Sequence, residues 1–316
     1  MINITLKQLR YFEALARHGH FGRAADVCSI SQPALSVQIA ALESQLGQAL
    51  FERGPRQVRL TGFGEDFALR ARDILRAVDE LGDLARAATG GLGGRLRLGV
   101  IPTIAPYLLP SLVARLAETH PSLDLHVRET VTPRLIDELA QGQLDAAIVA
   151  LPLDEPGLTE RALFSEHMVL VRPLAQAGHP VPSRRALGEM RLLLLEEGHC
   201  FRDQALSFCN MAPALAQSGL DGSSLSTLVQ LVGAGIGVTL IPEMAVPVET
   251  RSAPVCVGRF ASPQPARTVG LVWRRSSPLA PRLEELGQAV QHVAAALLVR
   301  PDGDPAGGGI LVKPAL

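Results

Sequence analysis

The chain is 316 residues long, 47% hydrophobic and 19% charged, with a formal net charge of −1, a length that suits two domains of ordinary size, each with its own core. Near-neutrality excludes a protein coated in one sign of charge, and no run of roughly eighteen apolar residues is present to span a membrane. The N-terminus MINITLKQLRYFEALARH carries charges throughout, unlike a signal peptide, so a cytoplasmic protein without membrane contact is expected. In a reducing compartment its cysteines, Cys28, Cys200, Cys209 and Cys256, are no structural disulfide framework. Cys28, in an apolar helical context, and Cys256, in the strand-like Pro254 to Val257, read as small buried hydrophobes.

Leu6 to Arg17 place apolar residues at 6, 9, 12, 15 and 16, one face of a helix. Phe21 to Val27 form a second, short helix, and Ser31 caps a third that carries Pro33 in its first turn, where a missing N–H is harmless. Leu35, Ile39 and Leu42 face inward, which leaves Gln32, Ser36 and Gln38 pointing elsewhere. Two helices joined by a tight turn, the second polar near its start, are what a helix-turn-helix needs to read base edges in the major groove. Phe51 to Thr61 then form a hairpin-like turn bearing Arg53, Arg56 and Arg59, suited to a phosphate backbone. Residues 1–61 hold seven Lys and Arg against four Asp and Glu, 7 − 4 = +3. Gln32, Pro33, Ser36, Gln38, Arg53, Arg56 and Arg59 are the candidate contacts to double-stranded DNA.

Thr61 caps a long helix running to about Ala88. Phe67, Ala71, Ile74, Val78, Leu81 and Ala85 follow 4-3-4-3-4 spacing, a heptad seam, and with so small a domain to pack against the helix is expected to dimerise. Thr89 to Gly94 is a glycine-rich hinge. From Arg95 strands and helices alternate, with strands at 96–101, 123–128, 145–150, 168–172, 192–195, 237–241, 255–260 and 268–273. Helices fall at 105–118, 133–141, near 201–209, at 224–233 and at 279–298. The alternation predicts parallel sheets covered by helices and two small α/β lobes with a cleft between them. The expected organisation is a winged helix-turn-helix domain over 1–61, a linker helix over 62–88, a hinge over 89–94, a two-lobed α/β regulatory domain over 95–298 and a tail over 299–316. No phosphate loop, metal-ligand spacing or cofactor motif is found.

The stretch Glu196 to Cys209 carries the chemistry. An apolar run ends at Gly198, and Phe201, Ala205 and Phe208 have helical spacing, so Cys200 opens a short helix that Cys209 closes. At about 1.5 Å rise per residue the two alpha carbons lie roughly 13 Å apart, whereas a disulfide needs them within about 7 Å. The thiols can join only if the helix comes undone. A helix N-terminus, with His199 adjacent and Arg202 two residues on, favours thiolate over thiol. Thr103, just past a strand end, offers a hydroxyl able both to donate and to accept a hydrogen bond. Arg267 opens another strand and brings a fixed positive charge able to stabilise a developing anion.

The segments FGRAAD, SQPALSVQIAALESQLG and LFERGPRQVRLT, the long helix and the α/β domain together resemble the LysR-type transcriptional regulators over residues 1 to about 298. IPTIAPYLLP, EEGHCFRDQALSFC, GAGIGVTLIPEMAVP and RTVGLVWR resemble more narrowly the OxyR-type, peroxide-sensing branch. The resemblance implies a periplasmic-binding-protein-like regulatory domain, Cys200 as the peroxidatic thiol and Cys209 as the resolving one. It also implies that Thr103, Thr132, His199, Asp203 and Arg267 place peroxide or support the Cys200 pocket. The partners it implies are promoter DNA, hydrogen peroxide, further copies of the chain as a dimer of dimers, RNA polymerase and a cellular thiol reductant. Oxidation would give a sulfenic acid that condenses with the second thiol, and the refolded segment would turn the DNA-binding domains. Two alternatives differ in class: a LysR-type regulator answering a small organic effector in the cleft, with incidental cysteines, and a thiol peroxidase. The peroxidase leaves the first 88 residues without a purpose.

Overall fold

A computed structural model describes residues 3–54, 58–88, 91–209 and 221–298. Arg56, hinge residues 89 and 90 and the tail at 299–316 lie outside the described residues, as do the side chains of Arg53 and Ala85. The chain divides into two compact units, Met1–Ala85 and Arg86–Leu316.

In the first unit, α1 (Leu6–His18) opens with a capping box in which Thr5 and Gln8 satisfy each other's backbone N–H, and it closes at Gly19, whose φ of 62° is left-handed. Next come α2 (Phe21–Val27) and α3 (Gln32–Leu46). Ser31 caps α3 by accepting from Ala34 N at 3.4 Å. Leu35, Ile39 and Leu42 are buried with Phe12 and Leu15 in one small core. A short antiparallel hairpin follows, β1 (Phe51–Arg53) on β2 (Val58–Leu60). The Glu43 carboxylate ties it to α3, accepting from Leu50 N at 2.8 Å and Phe51 N at 3.2 Å.

The long helix α4 (Gly62–Ala88) starts where expected, with the Thr61 hydroxyl accepting from Gly64 N at 2.9 Å. A Cβ at Gly64 would collide with the Leu50 carbonyl, so only glycine lets α4 pass the hairpin this closely. The seam needs correction at its start. Phe67 stacks edge-on against Phe12 at 4.9 Å between centroids, and Ala71 is buried in the same core. The first three turns of α4 thus do find something in their own domain to pack on. Of the remaining seam positions, Val78 is half-buried, while Ile74 is 48% and Leu81 66% exposed in the single chain.

The second unit is built on a seven-stranded sheet in the order β4-β3-β5-β9-β6-β7, with β8 paired to β6. Its strands are β3 (Gly94–Val100), β4 (Leu123–Glu129), β5 (Ala146–Leu151), β6 (Leu158–Pro173), β7 (Thr239–Pro242), β8 (Val255–Gly258) and β9 (Ala266–Arg274). Its helices are α5 (Ala105–Thr119), α6 (Thr132–Ala140), α7 (Arg184–Glu189), α8 (Cys200–Cys209), α9 (Leu225–Gly233), α10 (Val246–Glu249) and α11 (Ala280–Leu297). Two separate cores mark two lobes, one under α5, α6 and α11, the other around α8, α9 and the end of β6.

The sheet is mixed rather than parallel. Among the described strands only β3 pairs in parallel, with β4 and β5, while β9 runs antiparallel to both β5 and β6. The cause is β6, 16 residues long where a five-residue strand is expected. Its first half pairs with β9 in one lobe and its second half with β7 and β8 in the other. Charged residues on the first half hid it: Glu160 accepts from Leu153 N and Asp154 N, and Arg161 pairs with Glu284. The expected strand over 192–195 reduces to two isolated bridges, Leu192 with Val238 and Leu195 with Gly222. No described helix is long and apolar enough to cross a membrane.

Candidate functional site

Gly198 adopts a φ of 95°, a conformation open to glycine, and turns the chain from the buried Leu192–Leu195 run into α8. Cys200 is the first residue of that helix, and Phe201, Arg202, Ala205, Leu206 and Cys209 form its buried face. Cys200 lines a small pocket with Thr103, Thr132, His199, Val131 and Phe201. Three helix starts meet here: Thr103 lies two residues before α5, Thr132 is the first residue of α6 and Cys200 the first of α8. Unpaired N–H groups and the positive ends of helix dipoles favour negative charge at such a place. Neither α5 nor α6 has a side-chain cap. The buried Thr132 Oγ1 has no hydrogen-bond partner among the described residues, a free polar group where a guest could bind.

Arg267 bears on this pocket through Thr103 and through the Phe201 ring, whose centroid lies 5.3 Å from its guanidinium carbon. On β9 it stands directly across from Glu166 of β6, at the point where β6 passes between lobes. Its Nε and Nη2 donate to Glu166 Oε1 at 2.8 and 2.6 Å, Nη1 donates to Thr103 Oγ1 at 2.8 Å and Nη2 to the Thr103 carbonyl at 3.0 Å. Both charged side chains are fully buried, and Met244 N donates to the second Glu166 oxygen at 3.3 Å. Because Thr103 Oγ1 already accepts from a guanidinium, its own proton is free to point into the pocket, which makes it a hydrogen-bond donor there. Arg267 itself does not line the pocket, and the hydroxyl it holds there is that of Thr103.

Further expectations are corrected. Arg202 is buried and committed elsewhere, with Nη1 donating to the Leu195 carbonyl at 2.8 Å and paired with Asp221 at 3.1 Å, so its charge does not serve the thiol. Burial lowers the His199 pKa, only partly offset by Glu196 at 4.0 Å, so the imidazole beside Cys200 is neutral at pH 7. Asp203 is exposed in the first turn of α8 and is not part of the pocket wall. Glu166 was not foreseen at all; the cross-strand register that places it opposite Arg267 belongs to the hidden half of β6.

At the far end of α8, Cys209 is buried and its thiol is pushed up to about 11 by burial, with Arg184 pulling weakly the other way. Next to it Phe208 stacks edge-on with Phe260 at 4.9 Å and lies under the Arg184 guanidinium at 4.6 Å. All four cysteines are free. Helical rise keeps the alpha carbons of Cys200 and Cys209 about 13 Å apart. Cys256 donates from Sγ to the Pro173 carbonyl at 3.5 Å and Cys28 closes α2, its thiol pKa raised by burial and Glu13.

In the first unit Gln32 and Pro33 are exposed at the start of α3, Ser36 and Gln38 are half-buried, and Arg59 is exposed on β2. Val37 is 64% exposed on the same helix, and an apolar side chain so placed can contact a thymine methyl.

A helix-turn-helix unit with a wing and a long helix, followed by a two-lobed α/β unit with a thiol at a helix start, defines a signal-responsive transcriptional regulator. Residues 6–65 match the helix-turn-helix model of bacterial regulators of the lysR family, and residues 89–295 match the LysR substrate binding domain. The chain belongs to the LysR family of transcriptional regulators, in its OxyR branch. It is 46% identical over 300 residues to a probable hydrogen peroxide-inducible genes activator of Streptomyces viridosporus, covering 94% of this chain and 96% of that one. It is 41% identical to the DNA-binding transcriptional dual regulator OxyR of Escherichia coli K12, covering 91% and 95%. Among solved structures, a full-length cysteine-to-aspartate variant of Pseudomonas aeruginosa OxyR matches with a TM-score of 0.73 at 37% identity, covering 92% of this chain and 98% of that one. A peroxide-bound cysteine-to-serine variant of Corynebacterium glutamicum OxyR matches with a TM-score of 0.65 at 37% identity, covering 94% of each.

Proposed function

We propose that the chain is a DNA-binding regulator that senses hydrogen peroxide at Cys200 and records it as a reversible Cys200–Cys209 disulfide. The observation that carries this is the pocket itself: a thiol at a helix start, facing an unpartnered buried Thr132 hydroxyl and a Thr103 hydroxyl fixed as a donor. The Cys200 thiolate attacks one peroxide oxygen, the S–O bond forms as the O–O bond breaks, and the other oxygen leaves as hydroxide. Thr103 donates to the developing charge and the helix starts stabilise it. Hydroxide takes up a proton to become water, leaving Cys200 as a sulfenic acid. The Cys209 sulfur then attacks the Cys200 sulfur, the S–O bond breaks, and a second water leaves. Two thiols are oxidised and one peroxide is reduced.

Cys209 is buried, protonated and about 13 Å away along α8, so this second step requires the helix to open. Opening removes Phe208 from Phe260 and so alters the surface of the second lobe, a two-state change of packing. Gln32, Pro33, Ser36, Gln38 and Arg59 are the DNA contacts in this reading, with Val37 added, and Ile74, Val78 and Leu81 form the dimer seam. A dimer of dimers, RNA polymerase and a cellular thiol reductant complete the partners. The protein acts once per signal and is not a turning-over peroxidase. Alkylation trapping after stoichiometric peroxide, read by peptide mass spectrometry, should show the Cys200–Cys209 linkage, and Cys200→Ser should abolish any peroxide-dependent change in DNA footprint. A footprint that still changed in Cys200→Ser would sink the mechanism.

A further inference from the structure

A cleft of about 320 Å³ opens beside the Cys200 pocket and shares with it Pro102, Thr103, Val131 and His199. Its lining is asymmetric in charge. Glu129, Glu196 and Glu249 contribute carboxylates, and no Lys or Arg among the described residues lines it. The basic group among the described lining, His199, is held neutral by burial. The remaining polar lining is hydroxyl, with Thr130, Ser223 and Ser226 among it. Glu249 is fixed deep in the cleft, accepting from Tyr107 at 2.7 Å and from Ser226 at 2.6 Å. Glu129 and Glu196 are exposed. The cleft and the pocket therefore oppose one another. The pocket, at three helix starts, favours anions, and small anions are among the commonest solutes and include competing oxidants such as peroxynitrite and carboxylate-bearing hydroperoxides. A cleft lined by one sign of charge depletes ions of that sign. Hydroxyls, by contrast, pass a neutral solute that both donates and accepts hydrogen bonds.

We propose that this cleft is the route by which oxidant reaches Cys200 and that Glu129 and Glu196 make the route selective for neutral over anionic reagents. The inference rests on Cys200 being the sensing thiol, so its readout is alkylation, and peroxide serves only as a separate check on that role. Reduced full-length chain is alkylated with iodoacetamide, which is neutral, or iodoacetate, which is anionic and of nearly the same shape. The rate at Cys200 is followed by peptide mass spectrometry, and the ratio of the two rates is compared with that for a small neutral thiol. The wild-type ratio should exceed the reference by roughly tenfold, within the range by which a charged cleft alters local ion concentration. It should narrow at high ionic strength, where the Debye length falls to about 3 Å. Glu129→Gln and Glu196→Gln should each raise the iodoacetate rate about threefold, Glu129→Lys further, and Glu129→Gln should leave the iodoacetamide rate within about twofold. A wild-type ratio equal to that of the reference thiol, or one unmoved by these substitutions, would overturn the route and its selectivity. If peroxide oxidised Cys200 normally while the ratio stayed flat, the route and its selectivity would fail and the sensing role would stand. If the ratio behaved as stated while peroxide left Cys200 reduced, the sensing role would fail instead.

Discussion

Glu166→Ala isolates the group on which the donor role of Thr103 depends. In the wild type the Arg267 guanidinium makes two contacts to Glu166 and two to Thr103 with both charged side chains fully buried. Removing Glu166 leaves an uncompensated buried cation, at a cost of about 3–5 kcal/mol, and deprives Met244 N of its acceptor, a further loss of about 1 kcal/mol. At about 2–4 °C per kcal/mol for a domain of this size, the melting transition of the regulatory unit should fall by about 8–24 °C. Arg267→Met in the same background removes the stranded charge, so the double variant should be more stable than Glu166→Ala alone by about 2 kcal/mol, far short of the sum of the two single losses. Urea unfolding of the reduced protein at pH 7 gives both values. A loss below about 1 kcal/mol for Glu166→Ala, or a double variant as unstable as the sum of the singles, would refute the pairing as the anchor of this site.

Burial raises the Cys209 thiol from its ordinary value of 9.0 to about 11, so its contribution to stability is complete below pH 9 and is lost as pH climbs toward 11, where the unfolded chain has already released the proton. Under reducing conditions Cys209→Ala should flatten the fall of stability across that window by up to about 3 kcal/mol, and an unchanged slope in alkaline melts would contradict the assigned burial. Phe208→Ala removes a half-buried ring from Phe260 and Arg184; if α8 loses about 1.4 kcal/mol of closure, disulfide formation after sulfenic acid should accelerate roughly tenfold, while a quenched-flow rate equal to wild type would show that α8 opening does not control the step. Gly64→Ala forces a Cβ onto the Leu50 carbonyl and should reduce operator affinity in a mobility-shift titration, with the circular-dichroism melt of the first unit falling in parallel; a normal melt with normal binding would rule out the close passage of α4.

Local features were legible where one short stretch decides them. Ser31 and Thr61 cap their helices as read, and α8 runs from one thiol to the other. What failed to show was set by distant partners. The first half of β6 carries charges whose partners lie on α11 and in the 153–154 loop, so its alternation looked like surface. With β6 misjudged, Glu166 had no visible reason to meet Arg267, and the antiparallel β9 could not be told from one more parallel strand. Arg202 and His199 misled in the other direction. Proximity in sequence to Cys200 suggested two cations beside the thiol, but Asp221 occupies one and burial discharges the other. The early part of the heptad seam is a similar case, since spacing alone does not distinguish a partner chain from the helix's own domain.

The meeting of α5, α6 and α8 at the Cys200 pocket has a consequence for calibration. Peptide dipoles carry no proton to lose, and the imidazole alongside is already in its neutral form. On the proposed sensing role, the part of the field supplied by these helix starts would steady a departing hydroxide without titrating in the physiological range. A detector whose gain came from a nearby lysine or histidinium would drift as the acidity of its surroundings changed. One built on helix starts and a neutral imidazole is spared that source of drift.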